Sequence, residues 1–73
     1  MLKYCLIEEK IKNEYIGEYI SYGIELRDGE EVVDSVSDID TNREEIEKLC
    51  SLCNELKLSP IHFRDVVEDY LAR

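Results

Sequence analysis

The sequence predicts an α+β protein, a three-stranded antiparallel meander followed by two short helices packed on one face of the sheet. Three observations predict this fold. In the first half of the chain, apolar and polar residues alternate with a period of two, which is typical of half-buried strands. In the second half, apolar residues recur at helical spacing behind two helix start signals. Strands followed by helices, without alternation between them, indicate a segregated arrangement.

Length and charge limit the classes of function. The 73 residues form one predicted domain, with the sheet in residues 1–39 and the helical pair in residues 40–73. The net charge of −9 disfavours direct binding to nucleic acid or to an anionic membrane, because both are polyanions. No apolar run approaches the roughly 20 residues that span a bilayer, and the N-terminus has no apolar signal region. Three cysteines, an odd number, favour a reducing compartment. We therefore expect a cytoplasmic protein.

The N-terminal half predicts three strands. They run from Met1 to about Lys12, from Tyr15 to Arg27, and from Glu30 to about Ser37. The even positions of the second strand are almost all apolar, whereas its odd positions are small, polar or tyrosine. A break in this long strand at Gly17 would give four strands, and this alternative stays open.

The turns and the apolar pattern together predict the register. A two-residue turn at Asn13-Glu14 places Ile11 opposite Ile16. A three-residue loop with Gly29 in the left-handed position brings the apolar residues of the third strand to the same face. A slip of one residue would turn the apolar set outward, so the pattern constrains the register. The predicted core face comprises Cys5, Ile7, Ile11, Ile16, Ile20, Tyr22, Ile24, Leu26, Val32 and Val36.

Two capping signals predict where the helices begin. Thr41 and Glu44 form a capping box, so the first helix should run from about Asn42 to Lys57. Ser59 is a good N-cap and Pro60 fits the first position of a second helix. The apolar stripes comprise Ile46, Leu49, Cys50, Cys53 and Leu56 in the first helix, with Leu52 at the margin, and Phe63, Val66, Val67, Tyr70 and Leu71 in the second.

Residues 56–71, Leu-Lys-Leu-Ser-Pro-Ile-His-Phe-Arg-Asp-Val-Val-Glu-Asp-Tyr-Leu, resemble a family of short bacterial proteins of unknown function from clostridia-like organisms. Residues 37–40 and 53–56 are similar too, so the likeness covers roughly the C-terminal half. Phe63 and Tyr70 stand where the family pattern has leucine and phenylalanine. The resemblance implies a bacterial cytoplasmic protein and transfers no catalytic residue.

The cysteines and the single histidine are the candidates for chemistry. Cys50 and Cys53 form a C-x2-C motif, but they lie on the core stripe and not at a helix N-terminus, where a redox motif has a lowered thiol pKa. Cysteine is often buried without any metal, so we expect three buried, reduced and metal-free thiols and no cofactor. The alternative is a Cys3His zinc site of Cys5, Cys50, Cys53 and His62. His62 lacks a catalytic constellation, and we expect no enzymatic activity.

The predicted function is a small acidic interaction module that binds a protein partner or a second copy through its open sheet face. In the predicted register, five residues lie opposite the helix-covered side, namely Leu2, Tyr4, Leu6, Tyr15 and Tyr19. Tyrosine is enriched at interfaces, and a cluster of apolar residues on an open face indicates a contact surface. The alternative, which rests on the net charge, is an acidic inhibitor or nucleic-acid mimic that occupies the basic groove of another protein.

Overall fold

The computed structural model describes residues 1–73 and contains three antiparallel strands followed by two helices. The strands are β1 (Leu2–Asn13), β2 (Gly17–Asp28) and β3 (Glu31–Asp40). The helices are α1 (Arg43–Glu55) and α2 (Phe63–Leu71), and the 3-10 turn Pro60–His62 leads into α2. The sheet order is β1-β2-β3, so β2 is central and the other two strands are edges. The predicted α+β meander is confirmed, with three strands.

The core lies between the sheet and the helices. Its nine buried residues are Tyr4, Ile24, Leu26, Ile39, Ile46, Cys50, Cys53, Phe63 and Val67. Phe63 of α2 is fully buried, and its ring centroid lies 5.3 Å from that of Tyr4 in a tilted arrangement that aromatic pairs favour. The centre of each predicted helix stripe is confirmed. Leu56 and Leu71 are exposed instead, because they lie at or beyond the helix ends.

Two polar contacts join α2 to β3. Arg64 forms an ion pair with Asp34, with 2.7 Å between Nη2 and Oδ1. The hydroxyl of Tyr70 donates a hydrogen bond to the carboxylate of Asp40. This bond, together with the backbone N–H of Asn42, holds the pKa of Asp40 below its usual range. Both ends of α2 are therefore anchored to the third strand.

α1 begins with a different cap from the predicted one. Asn42, not Thr41, is the N-cap, and its Oδ1 accepts a hydrogen bond from the N–H of Glu45 at 3.3 Å. Asn42 in turn donates its N–H to Oδ1 of Asp40 at 3.0 Å, which fixes the approach of the chain to the helix. Asparagine caps at least as well as threonine. The predicted capping box of Thr41 and Glu44 is therefore wrong by one residue.

α1 ends in a Schellman motif. The N–H of Leu58 donates to the carbonyl of Cys53 at 3.0 Å, and the N–H of Lys57 donates to that of Asn54 at 3.2 Å. Lys57 adopts the left-handed φ of 49° that this motif requires and that glycine usually supplies. Ser59 then precedes the proline as predicted, but its side chain makes no capping bond, because a 3-10 turn follows.

The register of β1 against β2 differs from the predicted one by three residues. The turn between them contains three residues, 14–16, and Ile11 pairs with Tyr19. An odd displacement exchanges the two faces of a strand. Tyr4 and Leu6 therefore face the core, whereas the predicted core residues Cys5, Ile7 and Ile11 lie on the opposite face. Three further predicted core residues are exposed, namely Ile16, Ile20 and Val32.

The second hairpin closes more tightly than predicted. Asp28 pairs with Glu31, so the loop contains two residues, and Gly29 has the expected left-handed φ of 62°. A bulge follows in β3. Arg27 pairs with Val32 but Leu26 pairs with Asp34, so Val33 is the extra residue. Val32 therefore lies beside Arg27 on the open face, and the bulge brings Val36 opposite Ile24 on the core face.

The β2–β3 ladder is interrupted at Gly23, where the two backbones come very close. A β-carbon on Gly23 would lie 2.3 Å from the carbonyl oxygen of Val36, so only glycine permits this close approach. The ladder pairs Ile24 with Val36 and is then displaced by a bulge in β3. The pairing of β2 with β3 covers only Tyr22–Asp28. Residues 17–21 of β2 therefore have no partner strand on that side.

Candidate interaction surface

Residues 9–21 form a two-stranded arm that extends beyond the rest of the fold. Here β1 and β2 pair only with each other, because the β2–β3 ladder begins at Tyr22. α1 reaches the base of the arm through Arg43. Its Nη1 lies 3.3 Å from Oε1 of Glu8, and its Cζ lies 5.8 Å from the centre of the Tyr22 ring. No apolar side chain of the arm belongs to the core or packs against it.

Asn13 builds the tip of the arm. Its Oδ1 accepts hydrogen bonds from the N–H groups of Tyr15 at 2.8 Å and Ile16 at 3.1 Å, which form an Asx-turn. Gly17 closes the turn with a left-handed φ of 84°. The turn directs Tyr15 and Ile16 into solvent, where they are 88% and 71% exposed. Ile20, on the adjoining strand, is 41% exposed.

The arm is nearly neutral in an acidic protein. It contains two lysines and three glutamates. Lys10 and Lys12 lie 3.5 Å and 4.0 Å from the carboxylate of Glu18. By contrast, residues 28–40 contain six acidic residues and no basic one. Electrostatic repulsion of another acidic molecule is therefore weaker at the arm than at residues 28–40.

Two hydroxyl groups connect the base of the arm to β3. Tyr19 donates to Oδ2 of Asp38 at 3.2 Å. Partial burial and this hydrogen bond raise the pKa of Tyr19. Ser21 is fully buried and donates its Oγ–H to the carbonyl of Asp40 at 3.2 Å. These bonds replace the backbone ladder that the bulge of β3 interrupts.

The five residues predicted for the open face do not lie together. Tyr4 is only 3% exposed, and Leu6 packs against the core, so the prediction is wrong for both. The cause is the three-residue shift of register. Leu2 is partly exposed at the other end of β1. Tyr15 and Tyr19 belong to the arm.

Sequence reasoning missed the isoleucines of the arm, because it assigned them to the core. The open face carries Cys5, Ile7, Ile11 and Tyr19, all partly exposed. Ile16 and Ile20 are exposed at the tip and on the other face. The spacing of Asn13 and Gly17 is the signal that could have located them. An asparagine that can form an Asx-turn and a glycine four residues later fit a three-residue hairpin loop.

Two of the three cysteines lie in the helix–sheet core. Cys50 and Cys53 are buried, whereas Cys5 is only partly buried, and all three are free thiols. Burial raises the pKa of Cys50 to about 11 and also raises that of Cys53. His62 is exposed in the 3-10 turn. No three His, Cys, Asp or Glu side chains are grouped to hold a metal ion, so the alternative zinc set is not assembled.

The fold and these surfaces define a small α+β protein with two helices on one face of a three-stranded meander and a bare hairpin arm. None of its helices has both the length and the apolar character required to cross a membrane. The chain belongs to DUF6514, a family of unknown function whose model matches residues 1–73. The comparisons with curated proteins and with solved structures each give no match.

Proposed function

We propose that the protein is a small non-enzymatic interaction module whose arm pairs with the arm of a second copy. The observation that supports this proposal is the exposure of Tyr15, Ile16 and Ile20 on a hairpin with no partner strand on either edge. Contiguous exposed apolar residues on a small protein mark interaction sites. The free thiols favour a reducing cytoplasm, and the family resemblance favours a bacterial source.

A second copy supplies what the arm lacks. A two-stranded hairpin is marginally stable in water, whereas three or more strands with an apolar face are stable. Two arms side by side would form four strands. The charges of the arm are mixed in sign, so Lys10 and Lys12 of one copy can face glutamates of the other. The acidic surface of residues 28–40 would instead repel a copy.

Sedimentation velocity over a concentration series tests the proposal. The arm offers a small contact area, and interfaces below about 1,200 Å² are weak and transient. We therefore expect a monomer–dimer equilibrium that shifts towards the dimer as concentration rises. A double variant, Ile16→Asp with Ile20→Asp, should abolish the dimer, because a carboxylate without a partner resists burial.

The matched control is Ile61→Asp, which places the same charge on a residue that is 79% exposed and lies outside the arm. This variant should dimerise like the wild type. A wild type that stays monomeric at the highest concentration would refute self-association, and so would a dimer that survives the double variant. Capture of a different protein by the arm of a monomeric wild type would replace the second copy by that partner.

The third strand favours a second candidate, an acidic inhibitor or nucleic-acid mimic. Of the six carboxylates in residues 28–40, which include the loop before this strand, only Asp28 and Asp34 form ion pairs. Glu30 and Glu31 are exposed beside them. Competition with DNA for a nuclease that has a basic groove is the test. Inhibition should weaken steeply with salt, because exposed charges are screened, and it should persist in the arm variants. Inhibition that does not change with salt would exclude this candidate.

A further inference from the structure

A groove lies at the end of the sheet opposite the arm, between the start of β1 and the end of α1. Its volume is about 550 Å³, which falls in the range of roughly 300–1,000 Å³ typical of small-molecule sites. The apolar residues that line it are Met1, Leu2, Tyr4, Cys53 and Leu58. The other lining residues are Lys3, Asn54 and Lys57.

The polar side chains on the floor of the groove already bond to the protein backbone. The hydroxyl of Tyr4 donates to the carbonyl of Leu58 at 2.6 Å. The side-chain amide of Asn54 donates to the carbonyl of Tyr4 and accepts from its N–H, both at 2.8 Å. Cys53 is buried beside them. Tyr4 and Cys53 are almost completely buried, so the apolar surface open to a ligand comes mainly from Met1, Leu2 and Leu58, which suits a hydrocarbon chain better than a peptide backbone with its own polar groups.

The charge of the groove is opposite to that of the protein. Lys3 and Lys57 both line it, and neither forms an ion pair. The chain contains 18 acidic residues, yet two lysines line this groove without a counter-charge and leave room for an external anion. The Schellman motif fixes the backbone of Lys57 at this position.

From the apolar floor and the two lysines, we propose that the groove binds a medium-chain fatty carboxylate. The hydrocarbon chain lies above the buried Tyr4 and Cys53 and packs against Leu2 and Leu58. The carboxylate lies between the ammonium groups of Lys3 and Lys57. Burial of the chain supplies affinity, and the lysines discriminate against neutral and cationic head groups. The site is independent of the arm, because it lies at the other end of the hairpin.

Isothermal titration calorimetry with decanoate, kept below its micelle concentration, tests the proposal. We expect saturable binding of one decanoate per chain. Acetate should give no binding because it lacks the chain, and n-decylammonium should bind far more weakly because its head group is repelled. The double variant Lys3→Gln with Lys57→Gln should weaken decanoate binding about three- to tenfold, the effect of losing two exposed charge pairs.

The matched control is Lys48→Gln, because Lys48 also has no ion pair but lies on the exposed side of α1. This variant should bind decanoate like the wild type, and so should the arm variants. Amide NMR shifts on titration should centre on Tyr4 and Leu58. Absence of saturable binding would overturn the proposal, as would equal affinity for n-decylammonium, no effect of the lysine variants, or shifts centred on the arm.

Discussion

The two ends of the β1–β2 hairpin share the same strands and the same continuous pairing, but their surroundings are opposite. At the base, Ile24 and Leu26 are fully buried under the helices. In the arm, Ile16 and Ile20 are exposed, although they are equally apolar. The difference arises because the helices and β3 cover only the base. Apolar residues in a strand therefore define a core only where another layer meets them.

Truncation of an apolar side chain should cost far more stability at the base of the hairpin than in the arm. Phe63→Ala deletes a fully buried ring that packs on Tyr4. We expect a loss of about 3–5 kcal/mol in the free energy of unfolding. Ile16→Ala in the arm should change it by less than about 0.5 kcal/mol. Urea denaturation followed by circular dichroism measures both, and equal losses would contradict the division into base and arm.

Substitution of Gly23 in the base should cost more stability than substitution of Gly17 in the arm. Gly23→Ala forces a β-carbon against the Val36 carbonyl, and we expect it to destabilise the protein by about 1–3 kcal/mol, the scale of overpacking. Gly17 at the tip has no atom within 4 Å of an added β-carbon. Gly17→Asn should remain close to the wild type, since asparagine tolerates the left-handed conformation. Thermal melts that rank the two variants in the opposite order would refute the close approach at Gly23.

Asn54→Ala should loosen the base without affecting the arm. The substitution removes both hydrogen bonds to the backbone of Tyr4, and we expect a cost of about 1–3 kcal/mol. Amide hydrogen exchange at Tyr4 should become faster, whereas exchange in the arm should not change. Glu55→Ala, at the next and exposed position, is the control. Unchanged exchange at Tyr4 would show that Asn54 does not hold this edge.

The bond between Tyr70 and Asp40 should give a pH dependence. The hydrogen bond to Asp40 and partial burial raise the pKa of Tyr70 to about 12. An unfolded tyrosine has a pKa of about 10, so the stabilisation is complete below that pH and is lost as pH rises from about 10 to 12. Tyr70→Phe should lack this alkaline loss when melting temperatures are compared. Because the pKa of Asp40 is lowered, the acid side behaves oppositely, and stability is lost as pH falls through that pKa.

The smallest expected difference is in the rates at which the three cysteines react with a thiol reagent. We expect Cys5 to react first in the native protein, since it is partly exposed, whereas the buried Cys50 and Cys53 should react slowly. Denaturant should make all three fast. Mass spectrometry of labelled peptides measures the order, and equal native rates would indicate that the core opens readily.

Local signals predicted the elements of this fold, whereas the register depended on distant contacts. The alternation in β2 and the helical spacing of Ile46, Cys50 and Cys53 are patterns of residues close together in the chain. Such patterns can be recognised in the sequence alone. β1 is different, because both of its faces are apolar. Tyr4 and Leu6 lie on one face and Cys5 and Ile7 on the other, and hydrophobicity alone cannot choose between them.

The candidate surfaces followed the same division. Tyr15 and Tyr19 lie in the arm and remain predicted members of an interaction surface, whereas Tyr4 belongs to the core and Leu6 packs against it. The ends of the helix layer and of β3 decide which apolar residues of the hairpin remain bare. The β2–β3 ladder breaks beside the close approach at Gly23, which no local pattern reveals. The groove depends on Lys3 and Lys57, which are far apart in sequence.

The bond between Asn54 and Tyr4 has a consequence for folding kinetics. The two residues are 50 positions apart, so the side chain that recognises the correct position of β1 can bond to it only after α1 docks on the sheet. A hairpin forms in about 1–10 μs. At that stage β1 can pair with β2 in a register that turns Tyr4 and Leu6 towards the core face, or in one that turns Cys5 and Ile7 there. Chains in the wrong register must open before α1 can dock. We therefore expect a slow refolding phase, in which β1 changes its register against β2 after the other elements have formed.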